Sequence, residues 1–480
     1  MFSYRQSEHP AQGRESDPSP VSIHPGSRTS VFGFGRLNGD NRRHATATDI
    51  GEQQVMENSA ANCPFTHLLD LDAYRQGMPY DTLAEIRKQG SFVRFDDPGT
   101  GVPYWAAVRR DALDYVSQNP ALFSSQVEGP FPMEPESELQ RETMQVMLDN
   151  SFIAMDPPKH MAHRRVVRDA FTPRAVSAME PWLREQAKAI VDRVATKGSC
   201  EFVEEVAAEL PLIAVLELMG VPQEDRKQFF EWTNIMAFGD DPDIATGPDE
   251  ANAVSFEVIL YAIELAKKQR QGFTGPVIKA LLEGEVDGQP ISDEMFAWVF
   301  ILLMVGGNES TRTATAHGMR LLMENPNQLE HLVNHPEDIP DAVEEMLRYN
   351  TAFIAMRRTV TQDLEWNGYQ FKKGDKIIMH YHAVNHDEEV FGDDATRFDI
   401  HRKKRMPSLN RELRSFGIGE HFCLGMNLAR LEMRIMFEEI LPRLRDMRLA
   451  GEITYMRSFM ISTIKSMPVV FTPESEQEVA

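Results

Sequence analysis

The run Phe416-Gly417-Ile418-Gly419-Glu420-His421-Phe422-Cys423-Leu424-Gly425 leads directly into the helix-patterned segment 426–441. A lone cysteine just ahead of a helix sits near the positive end of the dipole and near free backbone amides. Both lower a thiol's pKa, so the thiolate is available as a metal ligand. Gly417 and Gly419 permit a tight bend whose N–H groups can hydrogen-bond the sulfur, and Gly425 lets a flat group approach the backbone. Taken alone, the run fits either a thiolate ligand or a structural cysteine buried beside a glycine turn. A zinc site from His421 and Cys423 needs two further ligands that no local spacing supplies.

Upstream, the longest uncharged apolar stretch, Met295–Val305, continues into Gly306-Gly307-Asn308-Glu309-Ser310-Thr311. Ser292 is placed to cap this helix, Asp293 and Glu294 suit its first turn, and Asn325-Pro326 ends it. Each Gly inside a helix costs about 1 kcal/mol against Ala, and a buried acid must find partners. Such a local violation points to a functional position, the competing reading being a kinked core helix with Glu309 facing solvent.

The remaining pattern predicts helices over Glu209–Gly220 and Ala251–Lys268. It predicts short strands over Pro103–Val108, Leu364–Phe371 around an Asn367-Gly368 turn, Lys376–His380 and Pro468–Phe471. The fold class is therefore mainly α with small β-sheets. Asp240-Asp241-Pro242-Asp243 lacks the ligand order and closing Glu of a calcium loop and reads as a solvated connection between helices. Residues 1–60 lack any helical or strand period and read as a flexible tail, leaving one domain over 61–480.

Composition narrows the function. The 480 residues carry 73 acidic and 50 basic side chains, a net charge of −23, which disfavours general nucleic-acid binding. The three cysteines, Cys63, Cys200 and Cys423, are too few and too far apart for an oxidised framework. No apolar run reaches the roughly 18–20 residues that span a bilayer, and the first twenty residues, lacking an apolar core behind a basic start, do not read as a secretory signal. A cytoplasmic protein without a stable membrane anchor is expected.

At Phe416, Gly417, His421, Cys423 and Gly425 the sequence resembles the cytochrome P-450 family, whose haem-thiolate signature places Phe, Gly, a basic residue, Cys and Gly at this spacing. The resemblance extends over most of 63–480. It implies the family's fold, with haem b (iron protoporphyrin IX) between the long central helix and the cysteine loop, and Cys423 as the iron ligand. It makes Gly306 part of the oxygen-binding groove and Glu309 and Ser310 the acid–alcohol pair that delivers protons to dioxygen, with Ser where Thr is usual. Cofactor-binding positions carried over are His160, Arg164, Arg358, Phe416, His421 and Gly425. Glu345, Arg348 and Arg402 match a structural triad. Leu413 departs from a family His, and Arg414 is the candidate substitute.

The resemblance also assigns cavity walls to Phe123–Phe152, Phe229–Phe238, Thr351–Met356 and Phe459–Thr463. The segments His421–Leu441 and Ile461–Val469 look like bacterial members that oxidise sterols, terpenoids and methyl-branched lipids. Ser151–His160 looks like hydroxylases of alkane and fatty-chain ends. The implied reaction is insertion of one oxygen atom from O2 into an aliphatic C–H bond of a small lipophilic substrate such as a steroid, terpenoid or long-chain lipid. Electrons are expected from a separate ferredoxin and ferredoxin reductase, docking on cations between Arg402 and Arg448, notably Arg430 and Arg434. The competing readings are a haem protein that binds or senses small ligands without turnover and a peroxide-driven peroxygenase.

Overall fold

Ser292 starts the central helix as its composition predicts: the hydroxyl oxygen accepts a hydrogen bond from Met295 N at 3.1 Å, with Asp293 and Glu294 in the first turn. The helix runs 32 residues to Glu324, and Pro326 opens the next one. Buried side chains occupy most of its faces, the pattern of a helix passing through the interior.

The computed structural model describes residues 68–475 apart from 136, 271, 273 and 274, all within one compact unit, Ser59–Ala480. The tail expected over 1–60, and Cys63, lie outside the described residues. In chain order the helices that position the site are α1 Glu138–Asn150, α2 Lys159–Arg168, α3 Pro173–Ala195, α4 Glu209–Leu218 and α5 Arg226–Ala237. They continue as α6 Pro248–Gln269, α7 Asp293–Glu324, α8 Pro326–Asn334, α9 Ile339–Tyr349 and α10 Met426–Arg443. Helix α7, the central helix, packs against α4, α5, α6, α9 and α10, and α10 packs in turn on α3 and α9. Their facing side chains, among them Leu216, Phe296, Met319, Met346 and Phe437, belong to one continuous core.

Five strands, β1 Phe92–Asp96, β2 Pro103–Ala107, β3 Phe123–Ser124, β4 Ala355–Val360 and β5 Lys376–His380, form a sheet in the order β1-β2-β5-β4-β3. Strand β5 runs parallel to β2, and the other neighbours are antiparallel. Alternation along β4 sends neighbouring arginines to opposite faces. Arg357 donates to Gly129 O at 3.2 Å and to Glu134 Oε1 at 2.9 Å. Arg358 turns to the side occupied by Tyr381 and His421.

The expected strands at Pro103 and Lys376 form within this sheet, and Pro468–Thr472 pairs in a three-stranded sheet. Leu364–Trp366 pairs with Tyr369–Phe371 across Asn367 and Gly368, whose φ values of 49° and 84° suit a tight hairpin turn. The acidic run at Asp240 does connect α5 and α6, but it is not simply solvated. Asp241 is 2% exposed and accepts from Lys465 Nζ at 2.9 and 3.0 Å and from Arg457 N at 3.1 Å. A buried carboxylate needs such partners, and the C-terminal segment supplies them.

Candidate active site

The cysteine loop is built by its glycines. Gly417 and Gly419 adopt φ of 70° and 77°, and a Cβ on Gly419 would stand 2.6 Å from Ser117 O, so only glycine fits there. The bend returns Cys423 N to Phe416 O at 2.9 Å, and Gly425 then caps α10. Cys423 lies deep in the protein yet presents accessible surface, because it faces an internal cavity. Burial raises its thiol pKa, while the amides of Gly425 and Met426 and the charges of Arg164 and Arg430 pull it down. Arg430 also stacks over the Phe416 ring, 4.5 Å from its centroid.

The cavity measures about 900 Å³. Gly306, Gly307, Ser310, Thr311 and Ala314 of α7 line one wall, and Cys423, Leu424, Gly425 and Leu428 line another. The four segments expected to surround it all contribute, through Phe131 and Met147, Met236, Phe353 and Met356, and Phe459 and Ile461. These side chains offer a deformable apolar surface.

Ser310 lines the cavity, and its hydroxyl donates to Gly306 O at 2.9 Å. Glu309 does not line it. That carboxylate is fully buried on the α5 side of the helix, paired with Arg312 and accepting from Asn308 Nδ2 at 2.9 Å. Arg312 also donates to Asn234 Oδ1 of α5 at 2.9 Å. Burial pushes the Glu309 pKa up against the pull of Arg312. A second acid, which sequence reading passed over, is on the cavity wall: Glu432 of α10, buried and hydrogen-bonded by Thr311. No local signal marks it, because 426–441 also carries Arg430, Arg434, Glu438 and Glu439, and tertiary packing alone decides that Glu432 is the buried one.

Four basic side chains converge beside the cysteine loop, and two of them, Arg164 and His421, line the same cavity as Cys423. His160 and His421 rings lie 4.1 Å apart, Ser125 Oγ is 3.2 Å from His421 Nε2, and Arg164 donates to Phe422 O. Arg358 is buried, and its guanidinium donates to Arg357 O at 2.6 Å. Neither ring nitrogen of His160 has a hydrogen-bond partner among the described residues. Burial, with Arg164 and Arg358 nearby, holds the His160 pKa down at about 4. The same causes, burial first, keep His421 well below its ordinary value. Arg414 is not part of this group: it pairs with Asp114 at 2.6 and 2.8 Å, which removes it as a substitute for the missing His at 413.

The basic residues expected to meet an electron donor are mostly spent inside the chain. Lys403 pairs with Asp341, Lys404 with Asp338, and Arg405 with Asp394 and Asp399. Arg430 grips Glu344 with two bonds of 2.7 and 2.9 Å, Arg434 pairs with Glu180, and Arg443 with Asp192 and Glu474. Reversing Arg430 or Arg434 therefore breaks internal pairs as well as altering a surface. Arg411 is exposed and has no carboxylate partner among the described residues.

The cytochrome P-450 family profile matches residues 339–447. The chain is 35% identical to a steroid C26-monooxygenase of Mycolicibacterium smegmatis, covering 86% of this chain and 95% of the relative. It is 35% identical to a methyl-branched lipid omega-hydroxylase of Mycobacterium tuberculosis, covering 78% and 85%. A solved cytochrome P-450 of Novosphingobium aromaticivorans superposes with a TM-score of 0.75 at 29% identity, covering 86% of this chain and all of that one (100%). The chain belongs to the cytochrome P-450 family, and it is a haem-dependent monooxygenase.

The residues fit that cofactor. Four basic side chains converge at the cavity that Arg164 and His421 line, around an imidazole with no partner among the described residues, an arrangement costly to bury unless anions such as haem carboxylates answer it. A Cβ added at Gly306 or Gly425 would meet nothing within 4 Å, so both leave room for a flat ring against the backbone.

Proposed function

We propose that Cys423 would ligate the haem iron, that Gly306, Phe416 and Gly425 would shape the slot for the ring, and that His160, Arg164, Arg358 and His421 would hold its carboxylates. Thiolate-ligated haem supplies O–O cleavage driven by electron donation from sulfur. The chain's own work is to shield that centre, hold the substrate and move protons. Ser310 Oγ carries an exchangeable proton at the cavity wall. Glu432, through Thr311, stores another on the same side, and Glu309 reaches the groove by parting from Arg312.

The substrate is a large aliphatic molecule, a steroid, terpenoid or branched lipid, hydroxylated at or near a chain end. The names of the two relatives support this, as does the Met- and Phe-lined wall. Asp70, Asp97 and Asp240 lie where that wall meets solvent, with Arg457 among them, and favour neutral over anionic substrates. Electrons come from a separate ferredoxin with its reductase, in the cytoplasm. Among the described residues no helix is long and apolar enough to cross a membrane.

The observation that carries the reading is Cys423 facing a large apolar cavity beneath Ser310. The test is spectral and chemical. The haem-loaded protein should show the reduced carbon-monoxide band of a thiolate ligand, lose it in Cys423→Ser, and hydroxylate a neutral sterol or branched lipid when supplied with ferredoxin and reductase. An unchanged band in the variant removes Cys423 as ligand. Ligand binding without product across the panel favours the sensor reading.

A further inference from the structure

Away from the cavity, three side chains from separate segments bring metal-ligating atoms together. His331 lies on α8, Asp338 in the turn Pro336–Asp338 before α9, and His401 immediately before Arg402. One ligand atom from each lies within 4.8 Å of the others. His331 Nε2 is 2.7 Å from Asp338 Oδ2, and the His331 and His401 rings meet edge to face at 4.5 Å. Nδ1 of His401 is buried with no hydrogen-bond partner among the described residues. A third imidazole, His335, is stacked on His331 at 4.6 Å, one helical turn further on.

We propose that His331, Asp338 and His401 form a binding site for a borderline divalent transition ion of the zinc type, with His335 or water completing the shell. Two imidazoles and a carboxylate are the donors that suit such an ion, whereas magnesium and calcium favour oxygen alone. An aspartate is ionised at neutral pH, so Asp338 is the anionic member of the donor set. The ammonium of Lys404 rests on the same Asp338 Oδ2 at 2.6 Å. It acts as a placeholder cation that the metal must displace. Once bound, the ion links the α8–α9 turn to the segment that delivers Arg402 to Glu345, tying two chain regions far apart in sequence.

The placeholder makes the test two-sided. Titrating ZnCl2 into tag-free, haem-loaded protein by calorimetry should reveal a site in the micromolar range or tighter, with a rise in melting temperature. His331→Gln and His401→Gln should each weaken that binding by about tenfold or more. Lys404→Met should strengthen it, an outcome that damage to the fold cannot mimic. Zinc affinity unchanged in both histidine variants, no binding tighter than about millimolar, or weaker binding in Lys404→Met would each overturn the proposal.

Discussion

Glu432 holds a proton that its unfolded counterpart does not. Burial pushes its carboxyl up to about 8 against the pull of the Thr311 hydroxyl, and Oε2 has no hydrogen-bond partner among the described residues. An unfolded Glu titrates near about 4.3. Between these values the native chain binds more protons than the unfolded one, so this residue makes stability fall as pH rises through the window, by up to about 1.4 kcal/mol per pH unit. In Glu432→Gln the apparent urea midpoint of the haem-loaded protein should lose that part of its pH dependence between pH 5 and 8. An unaltered profile would place the excess proton elsewhere. Ser310 supplies a second test at this scale. Ser310→Ala should bind substrate nearly as tightly as the parent protein yet divert electrons to peroxide, measured as product formed per reductant consumed. Full coupling would remove Ser310 from proton delivery.

The ion cluster of α9 is an architectural element with a direct line to the cysteine loop. Glu345 takes Arg348 at 2.7 and 2.8 Å and Arg402 at 3.1 and 3.2 Å, all three buried. Arg348 also donates to Asn385 O at 2.8 Å, and the Asn385 side chain holds Arg414 N at 2.6 Å and Ser415 Oγ at 3.0 Å, just ahead of Phe416. Glu345→Ala leaves the buried Arg348 without its acid and Arg402 with Asp394 alone, at a cost of roughly 3–5 kcal/mol. Its expected signature is a lower melting temperature together with conversion of the thiolate carbon-monoxide band to an inactive form; retention of both would reduce the cluster to passive packing. The sequence exposed such features unevenly. The central helix was readable from end to end because Ser292, Asp293 and Asn325-Pro326 act through local chemistry. Strand β4 was not, since Arg357 and Arg358 obscure its apolar pattern and only partners more than two hundred residues away bury Arg357. The fate of Glu309 was equally hidden. Motif order places an acid beside the groove, but Arg312 and Asn234 decide which way it faces.

At the scale of the whole molecule, a net charge of −23 repels an acidic electron donor unless local cations outweigh it. Among the described residues internal pairing leaves few such cations, and Arg411, on the short helix Leu409–Glu412 that enters the cysteine loop, has no carboxylate partner there. Arg411→Glu should slow reduction by ferredoxin most at low ionic strength, the difference closing as salt approaches about 1 M, where the Debye length is near 3 Å. A reduction rate and salt slope equal to the parent's would move docking to another face. The buried Asp241 carries a lesson for anyone recombining this scaffold with its relatives. Because it is fastened to Lys465 and to Arg457 N, the α5–α6 turn and the stretch 457–465 form a single cassette, and a chimera must exchange them together or strand a charge in the core.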